Sequence, residues 1–161
     1  MEIFIRAYRT SDLSALTDMW NGIVEEANSF PQEQPFSLEE AQVFFDSQSY
    51  IGVATNGETL FGFYILHPNN VGRCSHTANA SYGIAPLYRG NKIGWKLVEH
   101  SLHMCKELGF RGLQFNAVVC QNVGAIALYE KIGFRKIGFV VDGYRLGDGS
   151  YADIYLYHKQ T

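Results

Sequence analysis

A basic, glycine-containing loop near the middle of the chain constrains the fold more than any other stretch. It reads Tyr88-Arg89-Gly90-Asn91-Lys92-Ile93-Gly94-Trp95. An extended apolar run, residues 78–85, precedes it, and apolar residues at helical spacing follow it. The pattern predicts a strand, a short loop and the N-terminus of a long helix. The first N–H groups of a helix lack internal partners, and the helix dipole makes that end positive. The loop is therefore a candidate site for a diphosphate.

Three classes of ligand could use such a loop. A dinucleotide site requires G-x-G-x-x-G after the first strand, whereas the glycine spacing differs here and the loop lies in mid-chain. A P-loop requires G-x-x-x-x-G-K-[ST], but Trp95 and Lys96 follow Gly94, so the hydroxyl for magnesium is missing. The third class is coenzyme A, whose diphosphate needs no metal. A simple glycine turn before a basic helix start explains the loop alone about as well.

A second motif follows one predicted strand later and reads Asn122-Val-Gly-Ala-Ile-Ala-Leu-Tyr-Glu-Lys-Ile-Gly-Phe134. Asn122 is a favourable N-cap, and Ala125, Leu128 and Ile132 form an apolar stripe on the predicted helix. Gly133 is predicted to end this helix in the left-handed conformation. Local structure therefore explains the residues at both ends of this helix. It does not explain why the helix lies one strand after the helix that begins at the basic loop.

Together the two motifs resemble the GNAT superfamily of acetyltransferases. The loop is similar to the acyl-CoA signature R/Q-x-x-G-x-G/A, with Arg89 first and Gly94 last, and the second motif matches N-x-x-A-x-x-x-Y-x-x-x-G-F. Lys92 replaces the middle glycine, which fits if the backbone is already helical there. The resemblance implies one α/β (α+β) domain over residues 1–161, with a mixed, mostly antiparallel sheet and helices on both faces. The sequence pattern predicts the order β-α-α-β-β-β-α-β-α-β-β.

The resemblance implies direct transfer of an acetyl group from acetyl-CoA to an amine, with no metal. A backbone N–H near Ile84 would stabilise the oxyanion. Tyr129 matches the general acid that protonates the departing sulfur, and a tyrosine with a pKa of about 10 is protonated at neutral pH. The residues expected to contact acetyl-CoA are Ile84, Ala85, Arg89, Gly90, Asn91, Lys92, Ile93, Gly94, Asn122, Ala125 and Tyr129.

Residues 72–80 and 115–118 are similar to fungal acetyltransferases that detoxify proline analogues such as azetidine-2-carboxylate, and less closely to phosphinothricin acetyltransferases. By this resemblance Asn79 and Asn116 face the acceptor; alternatively, they satisfy backbone groups at a bulge. Arg73 either pairs with a substrate carboxylate or is solvated. Glu26 and His76 are candidate bases, with ordinary structural roles or a water chain as alternatives.

The predicted substrate is a small-molecule amine, an amino acid or its analogue. Two alternatives remain: acetylation of a protein N-terminus or lysine, and a non-catalytic acyl-CoA-binding module. Apolar residues at helical spacing from Leu13 to Ala27 predict the first helix. A loop, residues 28–36, follows it, in which Phe30 and Phe36 either shape the acceptor pocket or pack in the core.

Charge, hydropathy and cysteine content restrict the ligands and the cellular compartment that we expect for this protein. A net charge of −3 argues against a general nucleic-acid binder. No apolar run reaches the roughly 18 residues of a membrane span, and residues 1–4 lack the form of a signal peptide. Cys74, Cys105 and Cys120 are expected to be reduced thiols, which favours a cytoplasmic protein without a disulfide or metal site. Tyrosines alternating along residues 151–157 suggest either a homodimer surface or an ordinary sheet face.

Overall fold

The computed structural model describes residues 2–161. Its helices and strands follow the predicted order. They are β1 (Phe4–Ala7), α1 (Leu13–Glu26), α2 (Leu38–Asp46), β2 (Tyr50–Thr55), β3 (Leu60–Pro68), β4 (Thr77–Ile84), α3 (Ile93–Glu107), β5 (Gly112–Val119), α4 (Val123–Ile132), β6 (Arg135–Arg145) and β7 (Tyr151–Gln160). No helix within residues 2–161 is both long and apolar enough to cross a membrane.

The strands form a single sheet in the order β1-β2-β3-β4-β5-β7-β6. All neighbouring strands are antiparallel except β4 and β5, which run parallel. This arrangement confirms the predicted mixed, mostly antiparallel sheet. The long α3 helix provides the crossover that a parallel pair requires.

The parallel pair separates after a short stretch. β4 pairs with β5 only where residues 77–79 face residues 112–114, although both strands continue well beyond that point. On its other side β5 has a bulge between Phe115 and Val118. A wedge therefore opens between the two central strands beyond Asn79 and Gln114.

Helices cover both faces of the sheet. On one face α1 and α2 enclose an aromatic core around Trp20, whose ring lies 4.7 Å from that of Phe30 and 5.0 Å from that of Phe44. On the other face α3 and α4 pack on a second core that includes Leu97, Phe115 and Tyr157. The wedge lies between these two layers, so both can contribute side chains to it.

The dipeptide Asp142-Gly143 is typical of a turn, and the sequence therefore predicts one here. The structure differs, because β6 continues through this dipeptide to Arg145 as a bulged strand. Asp142 has a φ of 53°, and its N–H donates to Asp153 Oδ1 at 3.0 Å. A Cβ on Gly143 would lie 2.4 Å from Ile154, so the glycine permits close packing within the hairpin. The bulge redirects the last residues of β6.

Candidate functional site

The loop between β4 and α3 presents a row of backbone donors. None of the N–H groups of residues 90–95 donates a hydrogen bond to another residue among 2–161. The Asn91 side chain instead satisfies a carbonyl of the loop, since Nδ2 donates to Tyr88 O at 3.0 Å. Gly90 has a φ of 82°, which favours glycine. Unpaired N–H groups at a helix N-terminus can bind an anion, so the loop remains a candidate site for a diphosphate.

Lys92 differs from the sequence expectation. Its backbone is left-handed, with φ 59° and ψ 13°, and it is the N-cap of α3 instead of part of the helix. The condition under which a lysine would fit here, a right-handed helical backbone, is therefore not met. This region of backbone space favours glycine, which gives a physical reason for the glycine in the superfamily signature. Here a lysine occupies it and adds a positive charge to the row of donors.

Arg89 and Glu26 form one ion pair. Arg89 Nη2 lies 2.6 Å from Glu26 Oε1, Nη1 donates to Oε2 at 3.0 Å, and Nε donates to Ile84 O at 3.3 Å. The two residues were predicted on opposite sides of the site, Arg89 at the cofactor and Glu26 as a base. Their bidentate pairing instead joins the end of α1 to the phosphate loop.

The cationic side chains of the loop therefore differ in availability. Lys96 Nζ donates to Ile3 O at 3.1 Å, and Arg89 is paired with Glu26. Lys92 makes no side-chain hydrogen bond or ion pair with the rest of residues 2–161. It is the cation of the loop that is available to a diphosphate.

The end of β4 directs a donor into the wedge. Ala85 N–H donates to Phe61 O at 2.9 Å, on the β3 side. Successive N–H groups of a strand point to opposite edges, so the N–H of Ile84 faces the wedge. A Cβ on Gly94 would lie 3.4 Å from Ile84 and 3.3 Å from Leu128, so α3 packs closely against both β4 and α4. This packing holds the donor and the phosphate loop in one rigid unit.

A cavity of about 220 Å³ occupies the wedge. Its walls come from four segments: Ser29, Phe30 and Pro31 after α1, residues 79–82 of β4, residues 115–119 of β5, and Asn122, Ala125 and Tyr129 around α4. Asn122 precedes α4 at the predicted cap position, but its side chain makes no capping hydrogen bond. Its carboxamide therefore remains available to a ligand in the cavity.

Tyr129 is held by other aromatic side chains. Its ring centroid lies 4.5 Å from that of Phe115, 5.7 Å from that of Phe134 and 6.3 Å from that of Tyr82. Burial raises the pKa of the Tyr129 hydroxyl above its ordinary value, so it is protonated at neutral pH. No hydrogen bond joins this hydroxyl to another residue among 2–161. Tyr129 thus places an uncommitted proton donor at the cavity.

Its neighbour Tyr82 is differently placed. The hydroxyl of Tyr82 lies 2.7 Å from Ser101 Oγ, and Ser101 Oγ donates to Val98 O at 2.8 Å. Because the proton of Ser101 is directed to Val98, Tyr82 is the donor in its own bond. Burial raises the pKa of Tyr82 as well. The two tyrosines lining the cavity therefore differ, since the proton of Tyr82 is engaged in the core.

The two strand asparagines make different hydrogen bonds: Asn79 bonds a backbone carbonyl, whereas Asn116 bonds two side chains. Asn79 Nδ2 donates to Gln114 O at 2.9 Å, where the strands separate. Asn116, in the β5 bulge, donates to Asn69 Oδ1 at 2.6 Å and accepts from Gln114 Nε2 at 3.1 Å. Both line the cavity, and each carboxamide has further donor and acceptor capacity. Asn69 and Gln114 were not identified from the sequence.

Two predicted acceptor residues lie elsewhere. Arg73 is exposed in the 3-10 turn Gly72–Cys74, and His76 is exposed just before β4. Neither lines the cavity. The backbone carbonyl of His76 accepts from Arg111 N–H at 2.7 Å, so that segment is tied to the start of β5, at the closed end of the wedge. The structure does not bring these two side chains to the candidate site.

The loop after α1 supplies residues that the sequence did not identify. Phe30 and Phe36 both pack on Trp20, which confirms their alternative role in the core, while Phe30 also lines the cavity. Ser29 and Pro31 join Phe30 there. On β4, Ser81 lines the cavity beside Asn79. Strand alternation could have identified Ser81, because it lies two residues from Asn79 on the same strand. No sequence pattern identifies Ser29 and Pro31.

The cysteines and metal-ligand types form no second site in the described part of the chain. No group of three or more His, Cys, Asp or Glu residues among 2–161 is placed to hold a metal ion. All three cysteines are free thiols. Cys105 is buried, and this burial raises its pKa to about 12, so it is protonated and unreactive at neutral pH.

Comparison with known proteins identifies the family to which this chain is related. The model of the acetyltransferase (GNAT) family matches residues 15–134. The chain is 31% identical to the N-acetyltransferase aca1 of Schizosaccharomyces pombe over 163 aligned residues, covering 90% of this chain and 78% of that protein. Both motifs lie within residues 15–134, whereas β1, β6 and β7 lie outside this range.

Solved structures show the same architecture. A GCN5-related N-acetyltransferase from Kribbella flavida superposes with a TM-score of 0.91 at 27% identity, covering 99% of this chain and 98% of that one. A GNAT superfamily phosphinothricin acetyltransferase from Sinorhizobium meliloti, in complex with acetyl-CoA, superposes with a TM-score of 0.91 at 20% identity, covering 99% and 89%. The chain therefore belongs to the GNAT family, and it is an acetyl-CoA-dependent N-acetyltransferase.

Proposed function

We propose that this acetyltransferase modifies the amine of a small polar molecule, an amino acid or an amino-acid analogue. The observation that carries the proposal is the placement of Asn79 and Asn116 on the cavity wall beside Tyr129. Uncharged carboxamides can donate to a carboxylate and accept from an amine. Ser29, Phe30 and Pro31 bound the same cavity, which suits a compact acceptor better than an extended peptide.

The residues of the loop fit acetyl-CoA. The unpaired N–H groups of residues 90–95 and the charge of Lys92 would hold the diphosphate. Asn122 and Ala125 line the cavity, and Ile84 and Ala85 lie at the end of β4, so the extended arm would lie between these two pairs of residues. When bound, acetyl-CoA supplies an acetyl group activated as a thioester. The role of Arg89 in this proposal is to hold the loop to α1 through Glu26 instead of contacting the diphosphate.

The chain then supplies two groups to the transfer. The Ile84 N–H stabilises the negative charge that develops on the carbonyl oxygen. Tyr129 donates its proton to the sulfur as the carbon–sulfur bond breaks. Neither Glu26, paired with Arg89, nor His76, outside the cavity, is assigned as the base. We propose that water removes the proton from the acceptor ammonium.

An acceptor panel tests the proposal. Acetyl-CoA is supplied with L-azetidine-2-carboxylate, phosphinothricin, L-methionine and a set of short peptides with free N-termini or lysines, and products are identified by mass spectrometry. We expect acetylated amino acids and little acetylated peptide. Calorimetric titration with acetyl-CoA, and with NAD and ATP as controls, reports the cofactor site separately. Acetylation of peptides alone would move the assignment to a protein acetyltransferase, and acetyl-CoA binding without any transfer would favour a binding module.

The structure changes the candidate surface for a homodimer. Tyr157 is fully buried and Tyr155 is half-buried, so the prediction that β7 exposes several tyrosines is wrong. Exposed apolar side chains instead lie on β6, at Ile137, Phe139, Val140 and Val141. β6 is an edge strand, and unpaired apolar edges favour association with another strand. We propose that a second copy pairs there; light scattering showing a monomer at high concentration would contradict this.

A further inference from the structure

The loop after α1, residues 28–36, is hydrogen-bonded to the hairpin of β6 and β7, which is distant in sequence. The hydroxyl of Tyr144, near the end of β6, donates to Phe30 O at 2.7 Å. Tyr144 and Phe30 are 9% and 6% exposed, so this bond is shielded from water. Phe30 lines the cavity between Ser29 and Pro31. A buried hydroxyl at the edge of the sheet thus fixes the backbone of one cavity wall.

A second contact holds the start of the same loop. Gly147 N–H donates to Ala27 O at 3.0 Å, immediately after α1. A Cβ on Gly147 would lie 2.9 Å from Ala27 Cβ, so only glycine allows this approach without a shift. Arg145 also pairs with Glu33, but both side chains are largely exposed, so this pair adds little. The two backbone acceptors lie at Ala27, just before the cavity-lining residues 29–31, and at Phe30, within them.

The hairpin is firmly built. Leu146 N–H donates to Ser150 O at 2.8 Å, and Asp148 Oδ1 accepts from Ser150 N–H at 2.9 Å and from Ser150 Oγ at 2.6 Å. Tyr144 packs in a small core with Val119 and Ile154 of the sheet. The donors on the hairpin are therefore fixed relative to β5, which forms the opposite side of the cavity.

We infer that Tyr144 and Gly147 are positioning residues that set the acceptor wall formed by Ser29, Phe30 and Pro31. The inference rests on the proposed function, because it takes this cavity as the acceptor site. The hydrogen bonds of both residues are to the loop after α1, at Ala27 and Phe30, so we expect their effect to fall on the acceptor and not on acetyl-CoA. Loss of either contact releases the wall from the sheet, which weakens binding of a small acceptor and admits bulkier ones.

Hydrogen exchange on the free protein tests this positioning without any ligand. In Tyr144→Phe the ring remains packed and the bond to Phe30 is lost. We expect amide exchange in a peptide covering residues 27–36 to accelerate by about fivefold, the size that one net hydrogen bond allows. Tyr151→Phe is the matched control, because Tyr151 lies on the same hairpin, is exposed and makes no side-chain hydrogen bond. Unchanged exchange in Tyr144→Phe would overturn the inference.

Kinetics give the second readout. Tyr144→Phe is expected to raise the KM for L-azetidine-2-carboxylate several-fold, with a kcat and an acetyl-CoA Kd close to those of the unmodified protein. Gly147→Ala should displace Ala27, at the other contact, and thereby change the KM for L-azetidine-2-carboxylate. A parallel loss of acetyl-CoA affinity would indicate general damage and contradict a positioning role. If no amino acid is acetylated, the proposed function is wrong. The exchange measurement on residues 27–36 still tests the positioning contacts, because it needs no substrate.

Discussion

Lys92 is held in backbone conformational space that glycine usually occupies. A left-handed conformation costs a side-chain-bearing residue about 1 kcal/mol relative to glycine. The same residue supplies the available positive charge of the phosphate loop. At position 92 the charge of the lysine favours ligand binding, whereas its backbone conformation lowers the stability of the fold. Substitutions can separate these two effects.

We predict that Lys92→Ala and Lys92→Gly both weaken acetyl-CoA binding several-fold, because both remove the charge next to the diphosphate. They should differ in stability: Lys92→Gly relieves the backbone strain and should unfold with a free energy about 1 kcal/mol higher than Lys92→Ala. Calorimetry gives the two Kd values, and chemical denaturation gives the two free energies of unfolding. Equal affinity in the unmodified protein and in both variants would show that Lys92 does not contact the ligand.

Some of the residue-level chemistry was accessible from the sequence. The spacing of Asn122, Tyr129 and Gly133 is local, because all three lie on or beside one helix, and Gly133 does adopt a left-handed conformation, with a φ of 107°. The pairing of Arg89 with Glu26 was not accessible. It joins residues 63 positions apart, and a sequence pattern does not report which charges meet in the fold.

At the scale of elements, the Arg89–Glu26 pair connects the end of α1 to the loop before α3. We predict that Glu26→Gln leaves the pH–rate profile of acetyl transfer unchanged, because Glu26 serves as a partner for Arg89 and not as the base. Its removal should lower stability by about 1 kcal/mol or less, because both side chains are partly exposed. Glu25→Gln, at the neighbouring exposed acid, is the control. Loss of the acidic limb of the profile in Glu26→Gln would restore Glu26 as the base.

A second ion pair anchors β1. Arg6 donates from Nη1 and Nη2 to the Asp12 carboxylate at 2.7 and 2.9 Å, and these hydrogen bonds lower the pKa of Asp12. A lowered pKa in the folded state means that Asp12 stabilises the fold when ionised. This contribution is complete above the ordinary pKa of about 4 and is lost as the pH falls through the folded value.

We therefore predict that stability falls with pH below about 4, and that Asp12→Asn makes this fall shallower while lowering stability at neutral pH. Denaturation midpoints measured between pH 3 and pH 7 check both parts. Asp18→Asn, on the exposed side of α1, controls for the loss of one negative charge. An Asp12→Asn variant with the same pH slope as the unmodified protein would contradict the assigned role.

At the scale of the whole molecule, the site depends on contacts that sequence periodicity cannot supply. The order of helices and strands is as the sequence predicted. The wedge, however, depends on where β4 stops pairing with β5, and the acceptor wall depends on Tyr144 reaching Phe30 across 114 positions. Such long-range contacts follow from the packing of both layers on one sheet, so they emerge only in three dimensions.

The same limit applies to Asn79 and Asn116. Their residue types marked them as unusual in strands, yet the sequence did not show that Asn69 and Gln114 complete their hydrogen bonds. The sequence also offered Arg73 as a partner for a substrate carboxylate and His76 as a candidate base. The cavity instead forms on the far side of Asn79, toward the open end of the wedge.

The most direct test of the account is the turnover of Tyr129→Phe compared with its affinity for acetyl-CoA. The substitution removes the hydroxyl and retains the ring that packs on Phe115. If Tyr129 donates the proton to the departing sulfur, kcat should fall roughly 100-fold while the Kd for acetyl-CoA changes less than about twofold. Tyr155→Phe is the control. Unchanged turnover in Tyr129→Phe would remove the general acid and with it the proposed chemistry of the cavity.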